Sequence, residues 1–242
     1  MKVWGITDVG LVRKENQDAY AIAEEPTTIC VVCDGMGGTN GGRLASSIAV
    51  STYVAELKKV LREDMTPEQL REASSYAVSL ANDEVRRAAQ QSEEYRSMGT
   101  TLVSAIAYPG GVVVSNVGDS RAYHITEDGI QRITRDHSLV ENMVERGDIT
   151  EEEARRHPNK NLITRALGPD MTTICDGFIC PLKKNDFVLL CSDGLVDTVT
   201  DQEMLFEVIH SEDVDSCLNR LLEISKGRGA SDNVTIVLMQ NN

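Results

Sequence analysis

Two stretches of this chain follow one grammar, and they limit its fold more than any other feature. In each, a short run of buried-type apolar residues stops on Asp-Gly. The first is Cys30-Val31-Val32-Cys33-Asp34-Gly35-Met36-Gly37-Gly38, and the second is Val188-Leu189-Leu190-Cys191-Ser192-Asp193-Gly194. An apolar run without polar alternation belongs to a strand covered on both faces. Each copy therefore predicts an interior strand that delivers a carboxylate at its end. The glycines after Asp34 permit φ > 0 and let backbone come close to an ion or anion. One Asp-Gly pair is an ordinary hairpin turn. Its repetition, with a third acid in Ser231-Asp232-Asn233 opening the apolar run Val234 to Leu238, points to a metal cradle.

The rest of the chain supplies covers for such strands. Val3 to Thr7 reads as an opening strand, followed by a loop from Asp8 to Asp18, where Ala19 to Ala23 continues as another. Leu44, Ala45, Ile48, Ala49, Tyr53, Leu57, Val60 and Leu61 keep helical spacing. Thr66-Pro67-Glu68-Gln69 announces a second helix with an N-cap, a proline at its first position and a capping-box glutamine. From Gly99 the period changes to strands, over Thr100 to Tyr108, Gly111 to Val117, Arg121 to Thr126 and Ile130 to Thr134, an antiparallel meander. One of its corners, Asn116-Val117-Gly118-Asp119-Ser120-Arg121, holds an acid and a base, which alone reads as a salt-bridged hairpin turn.

Residues 137 to 168 have a different texture, charged and suited to short helices, with a capping box at Thr150-Glu151-Glu152-Glu153; they read as a flap over a site. A strand near Thr172 to Cys180, another over Phe187 to Asp193, a helix capped at Thr200 and a helix from Val214 to Ser225 precede the last strand. The expected fold class is α+β: two stacked, mainly antiparallel β-sheets flanked on each side by helices, a four-layer α-β-β-α sandwich. With 242 residues, no repeat and no linker, residues 1–242 form a single catalytic domain on this reading.

Bulk properties exclude several function classes. A net charge of −14 without a basic stripe argues against nucleic-acid binding, which needs Lys and Arg to displace counterions. No apolar stretch reaches the ~18 residues of a membrane span, and the start of the chain has no signal-peptide layout, so a soluble cytoplasmic protein is expected. The six cysteines read as free thiols, and Cys30 and Cys33 would point to opposite faces of one strand.

Asp34, Asp119, Asp193 and Asp232 offer hard oxygen donors with no histidine or thiolate beside them, a set that selects Mg²⁺ or Mn²⁺ over zinc or copper. Two such ions can lower the pKa of a water and steady the oxygens of an in-line phosphoryl displacement. Phosphate-ester hydrolysis follows. Nothing supplies a covalent route, because the chain has no Cys-x5-Arg loop, no Asp-x-Asp nucleophile pair at the end of a strand and no Gly-x-Ser-x-Gly elbow. Arg13 is by default a solvated loop charge; beside a carboxylate-metal cluster, a guanidinium is a natural bidentate phosphate clamp.

Taken in order, eight motifs carry a resemblance: Thr7-Asp8-Val9-Gly10, Arg13 with Asn16-Gln17-Asp18, Asp34-Gly35-Met36-Gly37-Gly38, Met98-Gly99-Thr100-Thr101, Val117-Gly118-Asp119-Ser120-Arg121, Asp136-His137-Ser138, Cys191-Ser192-Asp193-Gly194-Leu195 and Asp232-Asn233-Val234-Thr235. The chain resembles bacterial metal-dependent serine/threonine protein phosphatases of type 2C over nearly its whole length. That resemblance implies Asp34 as the ligand bridging two Mn²⁺ or Mg²⁺ ions, Asp193 and Asp232 on the first, and the Gly35 carbonyl on the second. It implies that Asp18 holds a metal-bound water, that Asp119 and Asp193 form a weaker third site, and that Arg13 clamps phosphate. The catalytic set is then Arg13, Asp34 and Asp193. The expected partners are phosphorylated proteins, including a Ser/Thr kinase and its substrates, acted on by a monomer.

One departure stands out. Family members usually carry a histidine at the position of Met36 or of Thr39, proposed to protonate the leaving alcohol, and this chain has neither. Loss of a general acid costs about 10²–10⁴ in rate, so a slower enzyme on alkyl phosphates is expected, with a metal-bound water or His157 on the flap as the candidate substitutes. The alternative reading is a catalytically weak or silent phosphoprotein-binding or regulatory domain on the same fold.

Overall fold

A computed structural model describes residues 1–211 and 213–242, apart from the side chains of Thr39 and Asn40. Strands β1 (Lys2–Asp8), β2 (Asp18–Ala23) and β3 (Ile29–Met36) open the chain, and helices α1 (Gly38–Val60) and α2 (Pro67–Ala89) follow. The meander is β4 (Gly99–Thr100), β5 (Leu102–Tyr108), β6 (Gly111–Val117), β7 (Arg121–Thr126) and β8 (Gly129–Arg132). Two short helices, α3 (Leu139–Glu145) and α4 (Glu151–Arg155), lie in the inserted segment. The chain closes with β9 (Asp176–Pro181), β10 (Phe187–Cys191), α5 (Asp193–Val196), α6 (Asp201–His210), α7 (Val214–Gly227) and β11 (Val234–Gln240).

Two sheets result, one ordered β1-β11-β10-β7-β8 and the other β2-β3-β5-β6-β9 with β4 joined to β3. Every pairing is antiparallel. The strand period of two sorts the apolar residues into three layers. Cys30, Val32, Val103, Val114, Val188 and Leu190 fill the space between the sheets. Val31, Cys33, Tyr53, Leu57, Val85 and Leu102 fill the layer under α1 and α2. Cys191, Leu195, Leu221, Leu238 and their neighbours fill the layer under α5, α6 and α7. This is the four-layer sandwich expected. Cys30 and Cys33 do lie on opposite faces of β3, and all six thiols are free.

Several boundaries differ from the sequence expectation, and three of the differences have a physical reason in the neighbouring elements. The strand expected over Thr172 to Cys180 forms only at Asp176–Pro181, because its partner β6 offers no rung beyond the Asn116–Asp176 pair before turning at Gly118. The residues just ahead are held by the Asn82 amide, which donates to the Asp170 carbonyl at 3.2 Å. The strand expected to run to Asp193 stops at Cys191, and Asp193 opens the single turn of α5. The glycine stretch is not all loop: Gly37, at φ 120°, is the N-cap of a helix that already starts at Gly38. A Cβ on Gly37 would lie 2.4 Å from the Met98 Cα, so the position has no room for a side chain.

The segment 137–168 is closed on itself at its base, where Leu139 N–H donates to the Leu162 carbonyl at 2.8 Å and Thr164 N–H to the His137 carbonyl at 2.7 Å. Its two ends are tied to the sheet beside the acids, through His137 N–H to the Gly118 carbonyl and the paired Leu167 and Thr100.

Candidate active site

The acids gather at one edge of the sandwich because strand ends from both sheets meet there. In the β2–β3 ladder Asp18 sits directly opposite Asp34. Asp193 begins α5 just past β10, and Asp232 lies two residues before β11. Gly194 lets these two segments touch, since a Cβ there would fall 2.0 Å from the Asn233 carbonyl oxygen. Asp119 occupies the β6–β7 corner beyond Gly118, whose φ of +103° a side chain would strain. Gly35 is packed so tightly that a Cβ would lie 2.0 Å from the Gly42 carbonyl oxygen.

A cavity of about 470 Å³ opens among these groups, lined by Asp34, Gly35, Asp119, Asp193, Asp232 and Arg13. The flap adds Asn161 and Ile163 to its wall, and the glycine stretch adds Met36 and Gly37. Thus every residue proposed from the sequence lines one cavity except Asp18, which stands behind it. The Asp18 carboxylate accepts hydrogen bonds at one oxygen from Ser192 Oγ and Thr235 Oγ1, both 2.7 Å. Its other oxygen is buried without a partner among the described residues, as is one oxygen of Asp193.

The electrostatics of the cluster are those of acids forced together. Burial first, then the neighbouring Asp18, Asp193, Asp119 and Asp232, hold the Asp34 carboxyl far above the ordinary range. Burial and the nearby Asp193 do the same to Asp119. Burial pushes Asp18 up to about 6 against the pull of its two hydroxyl donors, and burial with the Asp232 charge pushes Asp193 up to about 7. Two like charges ~4 Å apart repel by about 4 kcal/mol at an effective dielectric of 20. Such a cluster must hold protons or cations.

The donor chemistry fits a hard divalent ion: carboxylate oxygens, two of them buried with no hydrogen-bond donor, beside a glycine that lines the same space. The side chains form a chain of contacts rather than a convergent trio. Asp34 reaches both Asp18 and Asp193, but among the described residues no three His, Cys, Asp or Glu side chains close on a single point. One ligand is engaged elsewhere, for Asp232 takes Arg13 Nη2 at 2.7 Å. Burying an ion would therefore require the carboxylates to close in and Arg13 to let go.

The ordinary reading of Asp119 as a salt-bridged corner does not hold. Arg121 turns its fork to Asp136, at 2.7 and 3.0 Å, and leaves Asp119 to the cavity. His137 is buried away from the cavity, accepting from Gly118 N–H at Nδ1 and meeting Asp176 at 3.1 Å through Nε2. His157 caps a local turn by accepting from Asn159 N–H. No histidine lines the cavity among the described residues. Met36 lines it, while the Thr39 side chain, the other position where an acid was looked for, lies outside the described residues.

Sequence reasoning missed the hydroxyls and amides that aim the acids. Thr101 Oγ1 accepts from Asp34 N–H at 2.9 Å, and Thr101 N–H returns a bond of 2.9 Å to the Asp34 carbonyl. Asn233 receives Gln17 N–H at 2.8 Å and donates to the Val9 and Glu15 carbonyls, which staples the Arg13 loop to the start of β11. The available signal was their adjacency: Ser192 precedes Asp193, Asn233 follows Asp232, and Thr101 lies across the sheet from Asp34.

Comparison with known proteins agrees with this geometry. Residues 12–238 match the model of the family described as Protein phosphatase 2C. A relative named Serine/threonine phosphatase stp, from Listeria innocua, is 34% identical over 238 residues, 98% of this chain and 94% of the relative. Protein phosphatase PhpP of Streptococcus pneumoniae is 31% identical over 250 residues, 100% of this chain and 98% of the relative. The crystal structure of serine/threonine phosphatase Stp1 from Staphylococcus aureus superposes with a TM-score of 0.91 at 35% identity, covering 100% of this chain and 95% of that one.

Proposed function

The chain belongs to the protein phosphatase 2C family, and on that premise we propose that it is a serine/threonine protein phosphatase that hydrolyses phosphoserine and phosphothreonine with the help of Mn²⁺ or Mg²⁺, without a covalent intermediate. The observation that carries this reading is the meeting of four aspartates from both sheets around one cavity with Arg13, and of Asp18 opposite Asp34 behind them; Asp18 and Asp193 each have a buried oxygen without a donor among the described residues. Asp34, Asp193, Asp232 and the Gly35 carbonyl would hold two ions, with Asp119 and Asp193 available to a third. When bound, such ions lower the pKa of water and offset the charge of the phosphoryl group.

The chain's own groups do the rest. Asp18, fixed at one oxygen by Ser192 and Thr235 and with the other unpartnered, would orient water beside Asp34. Arg13 exchanges its ion pair with Asp232 for the phosphoryl oxygens, for which its planar fork is suited. No histidine lines the cavity among the described residues, so on this reading protonation of the departing alkoxide falls to water. A silent binding domain is not favoured, because the full ligand set is present and the relatives matched over nearly the whole chain are named as phosphatases.

Phosphorylated proteins are the substrates on this reading, with a Ser/Thr kinase and its targets among them, and the chain works as a monomer in the cytoplasm. No described helix is long and apolar enough to cross a membrane. The test is phosphate release from a phosphothreonine peptide with Mn²⁺, Mg²⁺ and EDTA in parallel, on the parent and on Asp193→Asn. Release with either metal, abolished by chelation and by the substitution, is expected; release that survives EDTA would refute the metal role.

A further inference from the structure

Five arginines of the chain are half-buried: Arg86, Arg121, Arg132, Arg135 and Arg165. Four of them are paired with a carboxylate, Asp136, Glu141, Glu145 and Asp176 respectively. That is the usual condition for a guanidinium drawn out of water. Arg86 is the exception. Among the described residues it makes no ion pair and no side-chain hydrogen bond, and its Nε–H is buried without an acceptor.

The unmatched guanidinium faces a second cleft, of about 500 Å³, between the end of α2, residues 90–96 and the return of the flap. Arg96, tied to the highly exposed Glu93 at 2.6 Å, also lines it, as do Gly168, Pro169 and Met171. Gly168 has no room to vary, as its φ is +107° and a Cβ would meet Val85 Cγ1 at 2.6 Å. Its N–H is held by Asn82 Oδ1 at 2.8 Å. The floor is therefore built by buried contacts. The cleft also adjoins the active site: at Gly99 a Cβ would lie 2.8 Å from Met36, which lines the first cavity, and 3.1 Å from Pro169, which lines the second. One residue's thickness separates them.

We propose that this cleft is a second anion site that takes a phosphate dianion, gripped by the Arg86 fork with Arg96 as its second cation. Two cations against one acid leave a positive balance on a chain whose net charge is −14, and a bidentate Arg–phosphate contact would supply the acceptor that the Arg86 Nε–H lacks once the side chain turns that group into the cleft. Its position beside the first cavity suits a second phosphoryl group on the same substrate segment; free inorganic phosphate carries the same chemistry. The binding claim is independent of the hydrolytic reading, whereas the assignment of a substrate as the source rests on it.

The test is a titration of the full chain in Mg²⁺ buffer with inorganic phosphate, followed through the ¹H–¹⁵N signals of the arginine Nε–H groups and of Gly168. A saturable shift of Arg86 Nε, weakened at least about tenfold in Arg86→Gln and less in Arg86→Lys, is expected for a charge-assisted bidentate contact. No saturable shift at Arg86 in the parent overturns the site, and so does a Gly168 shift that is unchanged in Arg86→Gln. The parent titration needs no variant to fold and no turnover to occur. A second arm compares KM for singly and doubly phosphorylated peptides. A lower KM for the doubly phosphorylated peptide, with the ratio returning toward one in Arg86→Gln, makes the substrate the source; equal KM values beside a saturable phosphate shift make it free phosphate. A chain that turns over neither peptide yet shows the shift fails as a phosphatase while keeping the anion site.

Discussion

Asp34 owes its aim to its neighbours rather than to its own side chain. Its N–H and carbonyl are both fixed by Thr101, and Thr100 Oγ1 adds a bond of 2.8 Å to the same carbonyl. Thr101 Oγ1 in turn meets Ser120 Oγ at 2.7 Å, next to Asp119, so one hydroxyl ties two acids of the cluster together. Thr101→Val keeps the shape and removes that hydroxyl, leaving the Asp34 N–H buried without an acceptor at a cost of about 1–3 kcal/mol. A lower urea midpoint together with a Mn²⁺ affinity reduced about tenfold, measured by titration calorimetry, is expected; an unchanged affinity would mean that the aim of Asp34 does not depend on Thr101. The absent acid gives a second test at this scale. Thr39→His should raise kcat on a phosphothreonine peptide by about 10²-fold or more, and on an aryl phosphate by far less, because a phenolate leaves without protonation. Equal gains on the two substrates would contradict the idea that this chain lacks a general acid.

At the scale of elements, what could be read from the sequence is what local chemistry decides. The capping box at Thr66 and Gln69 is present, with bonds of 2.9 and 3.3 Å, and those at Thr150 and Thr200 formed as well. Each depends on four consecutive residues and on nothing distant. Thr66→Ala should therefore cost about 1 kcal/mol of stability with kcat unchanged, since α2 begins far from the acids; a loss of activity at constant stability would tie this cap to the site. The apolar runs at Val31 and Leu189 were equally legible, because strands covered on both faces need no alternation. What escaped were boundaries set by partners. The strand β9 is short because β6 turns away at Gly118, and α1 starts early because Gly37 is pressed against Met98. The candidate site divides the same way. Its acids stand out as Asp-Gly at strand ends, whereas the hydroxyls of Thr101, Ser192 and Thr235 look like any other until the ladders bring them to Asp34 and Asp18.

For the molecule as a whole, the two sheets are closed against each other at an edge where five acids meet, and folding has to press those charges together. Asp18 and Asp193, held up to about 6 and about 7 by burial and by each other's neighbours, bind protons more tightly folded than unfolded, where a carboxyl titrates near ~3.9. The sign follows from linkage. A carboxyl whose folded pKa is raised favours the folded state at low pH, and that contribution is lost as pH rises through 6 and 7. Asp8 and Asp176, held below the ordinary range despite burial by Lys226 and by His137 with Arg165, act oppositely, but only as pH falls through and below ~3.8. His137, held below the ordinary imidazole range chiefly by burial, opposes the acids inside this window, but it is one group against four raised carboxyls, so between pH 5 and 8 the raised acids set the slope. The shift of Asp18 alone, roughly two units, corresponds to about 3 kcal/mol at most, and the acids share their protons, so the whole cluster amounts to a few kcal/mol. For a chain of 242 residues that is a fall in Tm on the order of 5–10 °C from pH 5 to pH 8 in EDTA. On the proposed function divalent ions would bind where those protons leave, so Mn²⁺ should restore Tm strongly at pH 8 and little at pH 5. Differential scanning calorimetry with and without chelator measures both slopes. A Tm in EDTA that is level or rising over this range, or Mn²⁺ that stabilises equally at both ends, would mean that the acids at this edge do not carry the charge that the ions are proposed to neutralise.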